Sequence, residues 1–279
     1  MKPAIRHMLR RVARHAALLL ALPGVALADG ASDAPMVDVA LISGWQDSPT
    51  GPVGALKVTL APGWKTYWRV GGQSGFPPVF DWEGSENLAG VAFDWPRPEL
   101  IETEAGPIIG YANQLILPIR FLAKIAGQPV TARATLDLGV CRDVCVPVST
   151  ELSLRLGDGS STERFLIDLA LADQPQDAAA AGMARADCTL QTVGDGIRLT
   201  ASLNLPRSGA GGEEVVFELP RPDLWLAPSA SRRDGDHVVA ETTVMSLDGQ
   251  AFAFDADALR ITIIDRHRAV EFNGCNLPG

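Results

Sequence analysis

From Met36 onward, apolar and polar residues alternate in short runs separated by Gly, Pro and Asp. The clearest run spans residues 132–140. Ala132, Ala134, Leu136, Leu138 and Val140 fall on one face, and Arg133, Thr135 and Asp137 on the other. This period of two predicts a half-buried strand. Val37 to Ile42, Leu56 to Leu60, Leu115 to Phe121 and the run Leu152, Leu154, Leu156 predict further strands. Phe76-Pro77-Pro78 and Trp95-Pro96-Arg97-Pro98 mark loops.

The pattern changes near residue 157. Gly157-Asp158-Gly159 stops the strand, and Ser160 followed by Glu163 has capping-box spacing. Phe165, Leu166, Leu169 and Ala170 then fall at helical intervals. The Ala- and Gln-rich stretch from Asp173 to Arg185 reads as a helix end and a linker. Strand patterns resume with Ile197, Leu199, Ala201, Leu203 and Leu205, then Val215 to Leu219, His237 to Val244 and Leu259 to Ile264. Many short strands at this spacing predict a sandwich or barrel.

The first residues have the layout of an export signal. Lys2, Arg6, Arg10, Arg11 and Arg14 form a basic head, Ala16 to Leu22 a short apolar core, and Ala26-Leu27-Ala28 a small-x-small cleavage site. Maturation near Asp29 is expected. Without that leader, 19 basic residues face 33 acidic ones, a net charge of −14. Such a surface argues against nucleic acid and anionic lipid as partners. No later stretch reaches 18 consecutive apolar residues, so the mature chain is not expected to span a membrane.

Export matters because disulfides persist outside the cytoplasm. The four cysteines, Cys141, Cys145, Cys188 and Cys275, allow three connectivities. A Cys141–Cys145 bond closes a loop of about 5 residues, worth roughly 2 kcal/mol by chain entropy. A Cys188–Cys275 bond closes about 88 residues, worth roughly 4.6 kcal/mol. The second pair suits a structural staple at the two ends of the later strand block. The first is a poor staple, and short accessible disulfides are the labile ones used for exchange. Strand parity places Cys141 with Arg133 and Asp137, and Cys145 with Glu151 and Ser153, so both thiols are expected away from the core at the mouth of a hairpin. Two thiolates also suit Cu(I), but no Met or His lies beside them in sequence. His237 and His267 read as ordinary strand residues. No cofactor and no resident metal are expected.

Several stretches in order carry a resemblance. They are Gly63-Trp64-Lys65-Thr66-Tyr67-Trp68-Arg69, Gly72-Gln73-Ser74-Gly75-Phe76-Pro77, Trp95-Pro96-Arg97-Pro98, Gly110-Tyr111, Leu117-Pro118, and Val140-Cys141-Arg142-Asp143-Val144-Cys145-Val146-Pro147. Over roughly residues 35–157 the chain resembles the amino-terminal periplasmic domain of the thiol:disulfide interchange protein DsbD, and more closely its ScsB (suppressor of copper sensitivity) relatives. The second half is similar to the further β domain of the ScsB type.

The resemblance implies an all-β fold, two immunoglobulin-like β-sandwich domains joined by a short helical linker. The expected limits are 1–28 for the signal, 29–160 for the redox domain, 161–187 for helix and linker, and 188–279 for the second domain. It implies a periplasmic module of protein-disulfide reductase type, whose Cys141 and Cys145 relay reducing equivalents. The implied partners are a separate membrane-embedded thiol reductase and thioredoxin-like periplasmic proteins. Trp64, Tyr67, Trp68 and Tyr111 are candidates for a wall beside the thiols, against core packing as the alternative. The segment Glu102 to Ile109 aligns with the aromatic cap loop of DsbD but carries no Phe. Two other functions remain open at this point: a non-enzymatic immunoglobulin-like scaffold with structural disulfides, and a Cu(I)-handling protein.

Overall fold

The computed structural model describes residues 35–48, 51–71, 75–103, 106–183, 186–207 and 212–278. The expected export signal and its cleavage site lie outside the described residues. The first half contains β1 (Val37–Trp45), β2 (Val53–Leu60), β3 (Lys65–Tyr67), β4 (Val79–Asp81) and β5 (Leu88–Phe93). It continues with β6 (Glu99–Ile101), β7 (Ile108–Ala112), β8 (Gln114–Ala123), β9 (Thr131–Cys141) and β10 (Cys145–Arg155). Helix α1 (Ser161–Ala172) follows, then β11 (Gln176–Asp177), β12 (Ala186–Val193), β13 (Gly196–Asn204), β14 (Glu214–Glu218) and β15 (Leu224–Leu226). The last elements are β16 (Ala230–Asp234), β17 (His237–Ser246), β18 (Arg260–Ile264), β19 (Ala269–Asn273) and β20 (Cys275–Asn276).

The fold is all-β, with paired sheets of immunoglobulin-like type. In the first half, a sheet β1-β2-β8-β5 faces a sheet β10-β9-β3-β7-β6, with β4 paired to β9. In the second half, β11-β19-β18-β14 faces β15-β17-β13-β12-β20, with β16 paired to β17. The period-two residues of β9 supply the first core: Ala132, Leu136 and Val140 have no exposure to speak of, and they pack with Leu56, Trp68, Leu117 and Phe121. The second core is built around Leu199, Leu203, Val238, Ile261 and Val270.

Helix α1 begins at the expected cap. Ser160 Oγ accepts from the Glu163 backbone N–H at 3.2 Å, and Glu163 accepts from the Ser160 N–H at 2.8 Å. Its buried face matches the expected stripe only in part: Ala170 and Leu166 pack inward, Phe165 and Leu169 do not. Phe165 and Leu169 are 61% and 52% exposed, whereas Ile167 and Ala170 pack on Ile42, Val53, Ala55 and Ile116. The helix therefore lies on the β1-β2-β8 sheet, rotated so that Phe165 and Leu169 stay exposed. The stretch after it is also packed. β11 pairs in parallel with β19, and Ala178 and Met183 enter the second core. Cys188 and Cys275 are bonded, with Cα atoms 5.7 Å apart, across the parallel neighbours β12 and β20.

A candidate redox site at the β9–β10 hairpin

The hairpin is in unbroken register from Cys145 opposite Cys141 to Arg155 opposite Thr131. Two neighbouring residues show which pairs exchange backbone bonds. The Gly139 N–H donates to Phe76 O at 3.1 Å, and Gly139 O accepts from Thr66 Oγ1 at 2.9 Å. Both backbone groups of Gly139 thus point away from β10, and Gly139–Pro147 is a non-hydrogen-bonded pair. Pro147, which has no N–H to give, loses no ladder bond there. Cys141 and Cys145 lie two residues further on and have the same parity. Such pairs bring Cα atoms to about 4.5 Å, and here they are 4.1 Å apart with a bond between the sulfurs. The β-pleat therefore presets the disulfide.

The two sulfurs have different surroundings. Parity does place both cysteines on the face away from the main core, but only Cys145 is exposed there. Cys141 is 6% exposed, in a small cluster with Tyr67, Ile108 and the half-buried Ile101. The open position expected for Cys141 is thus corrected: β3 and β7 bring side chains over it. The Tyr67 hydroxyl lies 2.9 Å from Cys141 Sγ and 3.1 Å from Cys145 Sγ. A disulfide sulfur has no proton, so the phenol donates. Burial pushes the Tyr67 phenol above its ordinary 10.0, so it keeps that proton through neutral and mildly basic pH.

Of the other three aromatic candidates, Trp68 and Tyr111 sit elsewhere, and Trp64 lies beside the loop of the hairpin. Trp68 is fully buried in the first core, because adjacent strand residues point to opposite faces. Tyr111 is buried and donates to Pro96 O at 2.8 Å. Trp64 is half-buried beneath the Arg142 guanidinium, 5.3 Å from the ring centre. Arg142 also pairs with Asp143 at 2.9 Å in the hairpin loop. The segment aligned with an aromatic cap contributes Ile108, an aliphatic cover over Cys141. Sequence reading did not separate Tyr67 from its neighbours. The alternation Thr66 in, Tyr67 out, Trp68 in carries that signal once β3 is recognised as a strand.

This arrangement favours Cys141 as leaving group. Attack falls on the exposed Cys145 Sγ and expels a Cys141 thiolate, which the Tyr67 O–H is within hydrogen-bond distance to stabilise. A hydrogen bond to a charged group is worth about 1.5–3 kcal/mol. Tyr67→Phe keeps the ring and removes the donor. It is expected to slow reduction of the Cys141–Cys145 bond by dithiothreitol about tenfold, the lower end of that range. Stopped-flow rates for the two proteins, equal within error, would contradict this.

No group of three or more His, Cys, Asp or Glu side chains with metal-holding geometry occurs among the described residues. No helix among them is long and apolar enough to cross a membrane. Among curated proteins none matches the chain. Residues 40–156, which contain the hairpin and its disulfide, match the family model described as thiol:disulfide interchange protein DsbD, N-terminal, and that match with the Cys141–Cys145 pair supports a thiol:disulfide exchange module.

Proposed function

We propose that the chain is a periplasmic relay of reducing equivalents. It takes them from a separate membrane-embedded thiol reductase and passes them to thioredoxin-like proteins through Cys141 and Cys145. The observation that carries this reading is the unequal access to the two sulfurs: Cys145 is open, and Cys141 is covered and supplied with a donor. A structural bridge needs neither feature. We place the redox domain at residues 29–160 and the second β domain at 188–279, extended at its start by β11 and the first residues of β12, which pack with it. The presence of that second β-sandwich supports the ScsB type within DsbD-like proteins.

The chemistry balances in two steps. In the reduced protein the Cys145 thiolate attacks a partner disulfide, forming a mixed disulfide and releasing one partner thiolate. The Cys141 thiolate then attacks Cys145 Sγ. The second partner thiolate leaves, and the Cys141–Cys145 bond re-forms. Two electrons have passed from the dithiol to the partner. Reloading runs the other way: a donor thiolate attacks Cys145 Sγ, Cys141 leaves as thiolate, and a second donor thiol resolves the mixed disulfide.

Single-cysteine variants test the roles. Cys141→Ser keeps the attacking sulfur without its resolver, so mixing it with an oxidised thioredoxin-like protein should give a stable covalent complex on a non-reducing gel. Cys145→Ser should give none. If neither variant forms a complex, and the native dithiol leaves that protein oxidised, the relay function is wrong. A complex formed only by Cys145→Ser would reverse the roles while leaving the exchange function intact.

A further inference from the structure

We infer that Arg69 is a positioning residue for the disulfide site, through which the second sandwich holds Tyr67 against the sulfurs. The inference rests on the exchange reading above and adds a task for the second half of the chain. Tyr67, Trp68 and Arg69 are consecutive, and each goes to a different place. Tyr67 touches both sulfurs, Trp68 is buried in the first core, and Arg69 reaches into the second half.

The Arg69 anchor is a fork. Its Nε donates to Glu218 Oε1 at 2.9 Å and Oε2 at 3.2 Å, and its Nη2 donates to Glu218 Oε2 at 2.8 Å. The same Nη2 contacts Glu271 Oε2 and lies 3.5 Å from Thr262 Oγ1. The guanidinium also stacks 4.1 Å over the Trp68 ring. Glu218, Thr262 and Glu271 lie on β14, β18 and β19, three neighbouring strands of one sheet. Arg260 of that sheet stands 4.0 Å from Glu218 and 3.8 Å from Glu271, so two cations balance two carboxylates. Arg69 and Glu218 side chains are only 15% and 19% exposed. Planar bidentate pairs fix orientation as well as distance.

Tyr67 needs such an anchor because β3 is short. Its pairing with β9 covers only Lys65 and Thr66, so Tyr67 has β7 alone as a ladder neighbour. Beyond it, the chain is held by the Trp68 N–H to Ile109 O bond at 3.0 Å and by the Arg69 fork. Loosening the fork therefore frees the residue two positions from the phenol, while leaving both cysteines and Tyr67 chemically intact.

The test is a double-mutant cycle on the full chain, read as the rate of Cys141–Cys145 reduction by dithiothreitol. Glu218→Gln removes one charge but keeps the shape and a hydrogen-bonding oxygen, so the fold should survive. It should slow reduction about fivefold, the worth of one weakened charge-assisted hydrogen bond. In a Tyr67→Phe background the same change should slow it less than twofold, because the donor being positioned is already gone. Arg69→Lys, which keeps the charge but loses the fork, should fall between native and Glu218→Gln. A Glu218→Gln rate equal to the native one, or an effect that multiplies in full with Tyr67→Phe, overturns the positioning role while leaving exchange intact. A native disulfide that dithiothreitol does not reduce overturns the exchange reading itself, and the positioning role with it.

Discussion

Replacing Cys188 and Cys275 together by alanine is expected to lower the stability of the second half by about 4.6 kcal/mol, within the range of about 2–5 kcal/mol seen for native disulfides. The bond spans 87 positions, so its loss returns a long loop to the unfolded ensemble. Apart from that bond, the last strand is held by a few hydrogen bonds, from the Gly274 N–H to Leu259 O, from the Cys275 N–H to Ala256 O and from Asn276 Nδ2 to Asp187 Oδ1. β20 has two residues and two register pairs with β12. Both cysteines are buried, at 1% and 3% exposure, so alanine avoids burying a hydroxyl as serine would. Urea unfolding should show the loss as a lower midpoint. An unchanged midpoint would show that sheet pairing alone holds the closing strand.

The two cysteines of the hairpin should differ most in bare reactivity. In Cys141→Ser the remaining Cys145 is exposed, and a small aromatic disulfide reagent can reach it directly. In Cys145→Ser the remaining Cys141 stays behind Tyr67 and Ile108 at 6% exposure. Reagent reaches it only when that cover opens. A local opening that costs about 3 kcal/mol slows reaction roughly 100-fold, a cost within the span from near zero to the global stability that local openings cover. The reaction of Cys145→Ser with the reagent is therefore expected to be slower by about that factor. Nearly equal rates would mean that the cover over Cys141 does not persist in solution.

The chemistry of the site was legible in the sequence where one local rule decided it. The alternation from Ala132 to Val140 gave β9 and its buried face, and the spacing Ser160 to Glu163 gave the start of α1. The short spacing of Cys141 and Cys145 marked them as different from the widely spaced pair. What escaped was set by contacts distant in the chain. Cys141 is covered by Tyr67, 74 positions away, so strand parity alone could not report its burial. Arg69 reads as an ordinary charged residue until Glu218 and Glu271, 149 and 202 positions away, are folded beside it. Phe165 and Leu169 misled because helical spacing identifies a stripe but not which side of the helix the sheet will take. Trp68 and Tyr67 are neighbours of similar chemistry, and only the strand alternation sends one inward and the other to the sulfurs.

The central claim is that Cys141–Cys145 is a working disulfide rather than a brace, and its reduction potential tests this most directly. Equilibration of the purified protein with glutathione buffers, followed by thiol trapping and mass spectrometry of the hairpin peptide, gives the value. A disulfide used for exchange with thioredoxin-like proteins should fall between about −120 and −270 mV, the span of known thiol:disulfide exchange proteins. A value below about −300 mV, where structural disulfides of secreted proteins lie, would contradict the account.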